Sequence, residues 1–268
     1  MTLKEGRDFI RRGLAVRRYY LILWAVMVCI LAASSVQAEE EGQQYQGRLS
    51  EAVERVVIDP GHGGKDIGVK GPAGLTESRL AMALARQLKV VLEDELGVQV
   101  FLTRNGDENP SLYERTALVN RVRGHLFISL HASGAASRTR SGFGVFFQDY
   151  SLQKELADRA SLKQPAPGQP VEWALAQGPF LISSRRLAGE ISRAISEVLR
   201  VKSREAVGLP LTVLGGAARP AVLVEVGYLT NPEEERRLLS QAYRDAVVRA
   251  LVQGIQSYRA WVSKRLQE

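Results

Sequence analysis

A chain of 268 residues, 45% hydrophobic and 24% charged, is long enough for one α/β domain with a sizeable core and too evenly composed for a disordered or fibrous protein. Its formal charge of +7 is concentrated near the start, where six basic residues face two acidic ones before residue 39. The remainder is only mildly basic and carries no nucleic-acid signature.

The first segment in chain order is a basic stretch ending at Arg17-Arg18, then an apolar run from Leu21 to Leu31, then Ala32-Ala33-Ser34-Ser35-Val36-Gln37-Ala38. A positive region, a short apolar region and a small-x-Ala exit predict a signal peptide over residues 1–38, and hence export to the periplasm or cell wall. An uncleaved membrane anchor is the alternative. The single cysteine, Cys29, falls inside this run, so a cleaved chain has no thiol chemistry and must catalyse with oxygen and imidazole groups. Residues 39–54, rich at first in Glu, Gln and Gly, read as a linker.

The body, residues 55–264, alternates strands with helices. Val56-Val57-Ile58 is a short buried strand, and Leu80, Leu84, Leu88, Val91 and Leu92 give helical spacing over residues 76–96, closed by Gly97. Residues 98–102 form the next strand, and 111–123 a helix with Ser111 as N-cap. Residues 126–130 and 144–147 are strands, 164–170 is a Pro-rich loop, 183–199 is helical, 221–224 is a strand and 241–266 a terminal helix. This pattern predicts an α/β fold in a single domain, a mostly parallel sheet of about six strands with helices on both faces.

Ligands of such sheets bind beyond the carboxyl ends of the strands. His62, His131 and Glu225 fall at or just past such ends, and Glu77 opens the first helix. The third histidine, His125, is six residues from His131 on the other side of one strand. That is about 20 Å at the strand rise, too far to share an ion. His125 therefore reads as a surface or cap residue. His62 lies in a Gly-rich turn, and Glu225 continues the apolar strand Val222-Leu223-Val224, where an unpartnered carboxylate is costly. Together the four residues suggest a metal site of two histidines and one glutamate, with a second carboxylate beside it. Such a site leaves the metal an open position for a water and a carbonyl, and the free carboxylate can move a proton to a leaving amine.

The stretches Val56-Val57-Ile58-Asp59-Pro60-Gly61-His62-Gly63-Gly64-Lys65-Asp66, Phe127-Ile128-Ser129-Leu130-His131-Ala132 and Pro220-Ala221-Val222-Leu223-Val224-Glu225-Val226-Gly227-Tyr228-Leu229-Thr230-Asn231 occur in this order, with Glu77 after the first. Thr103-Arg104, Asp107, Leu112 and Arg115 lie between. The chain thereby resembles the family-3 N-acetylmuramoyl-L-alanine amidases over residues 55–261. The resemblance implies one zinc ion (Zn2+) held by His62, Glu77 and His131, with Glu225 as the catalytic carboxylate. It also implies peptidoglycan as substrate, cut between N-acetylmuramic acid and L-alanine. Two positions depart from the family pattern: Ala132-Ser133 in place of the usual Ala-Asn, and Leu214-Gly215-Gly216 where a basic or bulkier residue is common.

Some members of that family carry an insertion that blocks the metal until a protein activator displaces it. The equivalent stretch is residues 149–180, with a helix predicted from Leu152, Leu156 and Ala160, and with Glu155 or Glu172 as the blocking group. A surface insertion is the plainer expectation. The competing readings are a zinc peptidase or carboxypeptidase acting on the stem peptide, and an inactive wall-binding module.

Overall fold

The computed structural model describes residues 52–151 and 172–267. Its six strands are β1 (Arg55–Pro60), β2 (Gln99–Leu102), β3 (Leu126–Ser133), β4 (Gly144–Gln148), β5 (Val207–Leu209) and β6 (Ala221–Tyr228). They lie in the order β2-β1-β3-β6-β4-β5, with every neighbouring pair parallel except β4 and β6. β1, β3 and β6 are buried along nearly their whole length. That is why they read as continuous apolar runs rather than alternating ones.

Helices cover both faces. On one side α1 (Glu77–Leu96), α3 (Leu181–Leu199) and α6 (Gln241–Arg265) pack together and against the sheet. α6 crosses α3 closely at Gly254, where a Cβ would come within 2.6 Å of the Ile191 Cα. On the other side α2 (Leu112–Arg121) and α4 (Thr212–Gly215) close over alternate strand residues. Val57, Phe127, Ala221 and Leu223 meet Val119, Leu214 and Ala217 there in one apolar cluster. A short α5 (Pro232–Leu239) links β6 to α6.

The main elements start and stop for the anticipated reasons. α1 ends with Gly97 in the left-handed conformation, φ 61°, its N–H bonded to the Glu93 carbonyl. α2 starts with a complete capping box between Ser111 and Glu114. The inner strands run further than their apolar cores: β1 continues through Asp59-Pro60, β3 through His131-Ala132-Ser133, and β6 through Glu225 to Tyr228. Pairing with neighbours carries polar residues into the ladder, so Asp59 is the register partner of Ser129 and His131 that of Glu225. The Pro-rich stretch 164–170 and the helix expected from Leu152, Leu156 and Ala160 lie outside the described residues.

β1 leads into α1 and β2 on one side of the sheet, whereas β3 leads towards β4 on the other. The crevice of an open α/β sheet forms where consecutive connections part in this way, at the carboxyl ends of β1 and β3.

Candidate active site

The site begins with the turn that ends β1. Gly61 N–H donates to the Leu130 carbonyl at 2.9 Å, tying the turn to β3. His62 then takes φ 59°, followed by Gly63 at 135° and Gly64 at 57°. A non-glycine residue in this region is strained by about 1–2 kcal/mol, so something must hold it. Two buried arginines do. Arg104 donates from Nε to the Pro60 carbonyl and from Nη2 to the Gly61 carbonyl, both at 2.9 Å. Arg115 donates from Nη2 to the His62 carbonyl at 3.0 Å and from Nη1 to Asp59 at 2.8 Å. Asp59 is fully buried and also accepts from the Thr103 and Ser129 hydroxyls. The loop bearing His62 is thus anchored to β1, β3 and α2 at once.

Glu77, the first residue of α1, receives both imidazoles. Its Oε1 lies 3.0 Å from His62 Nε2 and 2.8 Å from His131 Nδ1, and it accepts from the Ala132 N–H at 3.1 Å. Its Oε2 accepts from the Val69 N–H at 3.0 Å. The two imidazole rings stand edge to face, 5.0 Å apart. Glycine makes this convergence feasible. A Cβ on Gly61 would overlap the His131 ring, and one on Gly68 would sit 2.6 Å from His62 Cδ2. One ligand atom each from His62, Glu77 and His131 lies within 4.8 Å of the other two, so the trio could hold a metal ion.

Two further groups complete the centre. Asp66 Oδ2 lies 2.8 Å from His62 Nδ1, leaving Nε2 facing Glu77. A carboxylate behind a ligating imidazole fixes its tautomer and raises its basicity. Glu225 stands beside His131 because the two are ladder partners on parallel strands, about 4.8 Å apart across the sheet. Its Oε2 is buried with no hydrogen-bond partner among the described residues. Ser133, at the departure from Ala-Asn, works against the rise that burial imposes on this carboxyl.

Burial alone would raise the Glu77 carboxyl, but hydrogen bonds from His131, His62 and Val69 overcome it and hold the group well below the usual carboxylate range. His62 is pushed up to about 9, chiefly by its hydrogen bond to Glu77 against the opposing pull of burial, with Asp66 adding to the rise. Glu225 is raised, with desolvation the main cause. The two carboxyls in one crevice are therefore driven apart, Glu77 lowered and Glu225 raised. A cleft of about 470 Å³ opens beside them between β1, β3 and α2, lined in part by Asn109, Leu112, Arg115, Val213 and Leu223.

All four residues anticipated from the sequence converge here, and His125 does not. Its Nδ1 accepts from the Glu54 and Arg55 N–H groups at 3.0 Å each, capping the chain where it enters β1. Sequence reasoning noted Asp59, Asp66, Arg104 and Arg115 without giving them a role. Their signal was weak: two arginines and two acids near a Gly-rich turn, meaningful only once folded together. The second departure also finds a reason. Trp173 lies directly over Gly216, where a Cβ would collide with the indole, and donates from Nε1 to the Thr116 hydroxyl at 3.0 Å. Glu155 is outside the described residues, while Glu172 is exposed beside Trp173.

Comparison with known proteins bears on the same residues. Residues 56–257 match the profile of the N-acetylmuramoyl-L-alanine amidases. The N-acetylmuramoyl-L-alanine amidase AmiA of Escherichia coli is 30% identical over 97% of this chain and 93% of its own. The amidase AmiC2 of Nostoc punctiforme superposes with a TM-score of 0.62 at 28% identity, over 78% of this chain and 98% of its own. The CwlD amidase of Clostridioides difficile, solved in complex with the GerS lipoprotein, shares the fold with a TM-score of 0.63 at 21% identity, over 78% of this chain and 99% of its own. The chain belongs to the family-3 N-acetylmuramoyl-L-alanine amidases, hydrolases that cleave the amide between N-acetylmuramic acid and L-alanine in peptidoglycan.

Proposed function

We propose that the chain acts as a zinc-dependent amidase, with His62, Glu77 and His131 as the metal ligands and Glu225 as the residue that moves the proton. The donor set suits zinc: two imidazoles and one carboxylate are the ligands of a hydrolytic zinc site with one position open. When bound, zinc supplies polarisation of the scissile carbonyl and a lowered pKa for the attacking water. The protein's residues do the rest. Asp66 keeps His62 in the ligating tautomer, and Arg104 and Arg115 hold its backbone. Glu225 accepts the proton of the attacking water at Oε2 and delivers it to the nitrogen of the departing L-alanine. A carboxyl raised by burial is suited to both halves of that transfer.

The observation that carries the assignment is the Glu225 Oε2 atom, buried beside His131 and without a partner among the described residues. The test is digestion of purified peptidoglycan by the chain from Glu39 onward, with and without zinc, beside Glu225→Gln. Release of intact stem peptides should need the metal, and the variant should lose about 10²–10⁴-fold in rate while binding zinc as before. Full activity in the variant would remove Glu225 from the proton path. Shortened stems still attached to sugar would mean a peptidase.

The boundaries belong to the same proposal: a signal peptide over residues 1–38, a linker over 39–54 and the catalytic domain over 55–264, exported to the periplasm or wall. Sequencing the N-terminus of the secreted protein checks the first of these. A protein activator is part of the reading as well, supported by the solved complex of the related CwlD with a lipoprotein.

A further inference from the structure

The edge of the sheet opposite the metal site carries a groove that the hydrolytic chemistry does not use. It runs along the flank of α3 from Ile182 to Arg193, against the last turns of α6, has a volume of about 520 Å³, and is lined by Ile182, Arg185, Arg186, Arg193, Trp261 and Arg265 with Glu190 and Gly189. Its position is fixed by hydrogen bonds. Arg259, two residues before Trp261, donates to the Leu96 carbonyl at the far end of α1 at 2.8 Å. Ser184, next to Arg185, accepts from the N–H of Ala221, the first residue of β6. Both contacts lie at the amino ends of the parallel strands, where Arg55 begins β1.

The groove has a definite chemistry. The Trp261 indole is flanked by two guanidiniums, Arg265 at 4.9 Å and Arg186 at 5.6 Å from the ring centre. Arg186 and Arg193 share Glu190, the carboxylate of the groove among the described residues, and Arg193 also pairs with Glu197 outside it, so four arginines face one glutamate in the lining. Ile182 and Leu266 are 47% and 43% exposed beside it. Gly189 leaves the floor open, since a Cβ there would meet nothing within 4 Å. Arginines around a half-buried tryptophan, rimmed by exposed aliphatics, match a boundary between anionic headgroups and acyl chains. An anionic surface would therefore be attracted to this groove.

We infer that the Arg185–Arg186–Trp261–Arg265 edge docks on an anionic phospholipid surface, holding the catalytic cleft on the side away from the membrane. The occupant is chosen on charge complementarity: four arginines stand against one glutamate in the lining, with Trp261 and Ile182 among them.

The test uses the chain from Glu39 onward, which contains the whole compact unit; the CwlV structure, which covers 76% of this chain and 97% of its own, is of a catalytic domain alone. Co-sedimentation is measured with vesicles of 30:70 phosphatidylglycerol to phosphatidylcholine (~30 mol% anionic lipid), and with pure phosphatidylcholine, at low and high salt. Binding should require phosphatidylglycerol and weaken with salt. R185Q/R186Q/R265Q should lose on the order of 100-fold in affinity at low salt, about fivefold per arginine, with hydrolysis of soluble muropeptides unchanged. R138Q/R140Q/K202Q removes the same charge from exposed residues elsewhere and should bind vesicles as the parent does. Circular dichroism and melting confirm that both variants are folded. Absence of phosphatidylglycerol-dependent binding overturns the inference, as does equal loss in both variants, which would mean net charge alone. Loss of binding to isolated peptidoglycan in the first variant, with vesicle binding intact, also overturns it and makes the edge a wall-binding surface.

Discussion

His62 carries most of what a titration would see. Without metal it is raised from 6.5 to about 9, through Glu77 first and Asp66 second. The sign follows: its charge stabilises the metal-free fold fully below pH 6.5, and that contribution is lost as pH rises through about 9. A metal takes only the neutral ring, so loading zinc at pH 8 should displace about one proton from His62, and this displacement should vanish by pH 10. Calorimetry of zinc binding in buffers of different ionisation enthalpy reads the count directly. A proton count that stays level from pH 8 to 10 would take His62 out of the ligand set. At this scale the sequence was legible where chemistry forces an unusual residue into an apolar setting, as with Glu225 after Val222-Leu223-Val224. Asp66 was not, because an acid four residues after a histidine in a glycine-rich loop has many ordinary explanations. Only the folded distance of 2.8 Å between Asp66 and His62 distinguishes it.

Elements matter here as devices for carrying single side chains. Arg115 projects from α2 to bind Asp59 of β1 and the carbonyl of His62, so one helix sets the shape of a loop on a distant strand. Arg115→Met would strip Asp59 of its positive partner in a fully buried position. The expected cost is about 3–5 kcal/mol in urea unfolding of the metal-free protein. The double variant Asp59→Asn with Arg115→Met should recover a large share of that. If Arg115→Met unfolds at the parental midpoint, the pair is not what holds this corner. Long periodic elements such as α1 and α6 were plain in the sequence because their apolar repeats outlast local noise. β5 has three residues and α4 four, too few to show any period. α5 is different: Asn231 caps it and Pro232 occupies its first turn, followed by three glutamates. That is a helix start written in residues, short enough to merge with the strand motif just before it.

At the scale of the whole molecule, the fold and the metal site are separable. The core lies in two layers about the sheet, and the three ligands already satisfy one another through Glu77 without an ion. Chelation should therefore leave the far-UV circular dichroism spectrum intact while abolishing hydrolysis. Free zinc at a hundred times its dissociation constant would add about 2.7 kcal/mol. In a domain of this size that corresponds to a rise in Tm of roughly 5–10 °C. Collapse of secondary structure on chelation would instead make the metal part of the fold. The α/β architecture was legible because alternating strand and helix patterns admit few layouts, while the reversal of β4 was not, since direction leaves no trace in a five-residue strand.

The ladder pairing of His131 with Glu225 has its own consequence. The gap between the proposed ligand and the proposed proton carrier is an interstrand spacing, and no loop spans it. Loops around the cleft can lengthen, shorten or change composition to suit different stem peptides, and that gap stays the same. Descendants of this chain are free to change what they grip without relearning how to cut it.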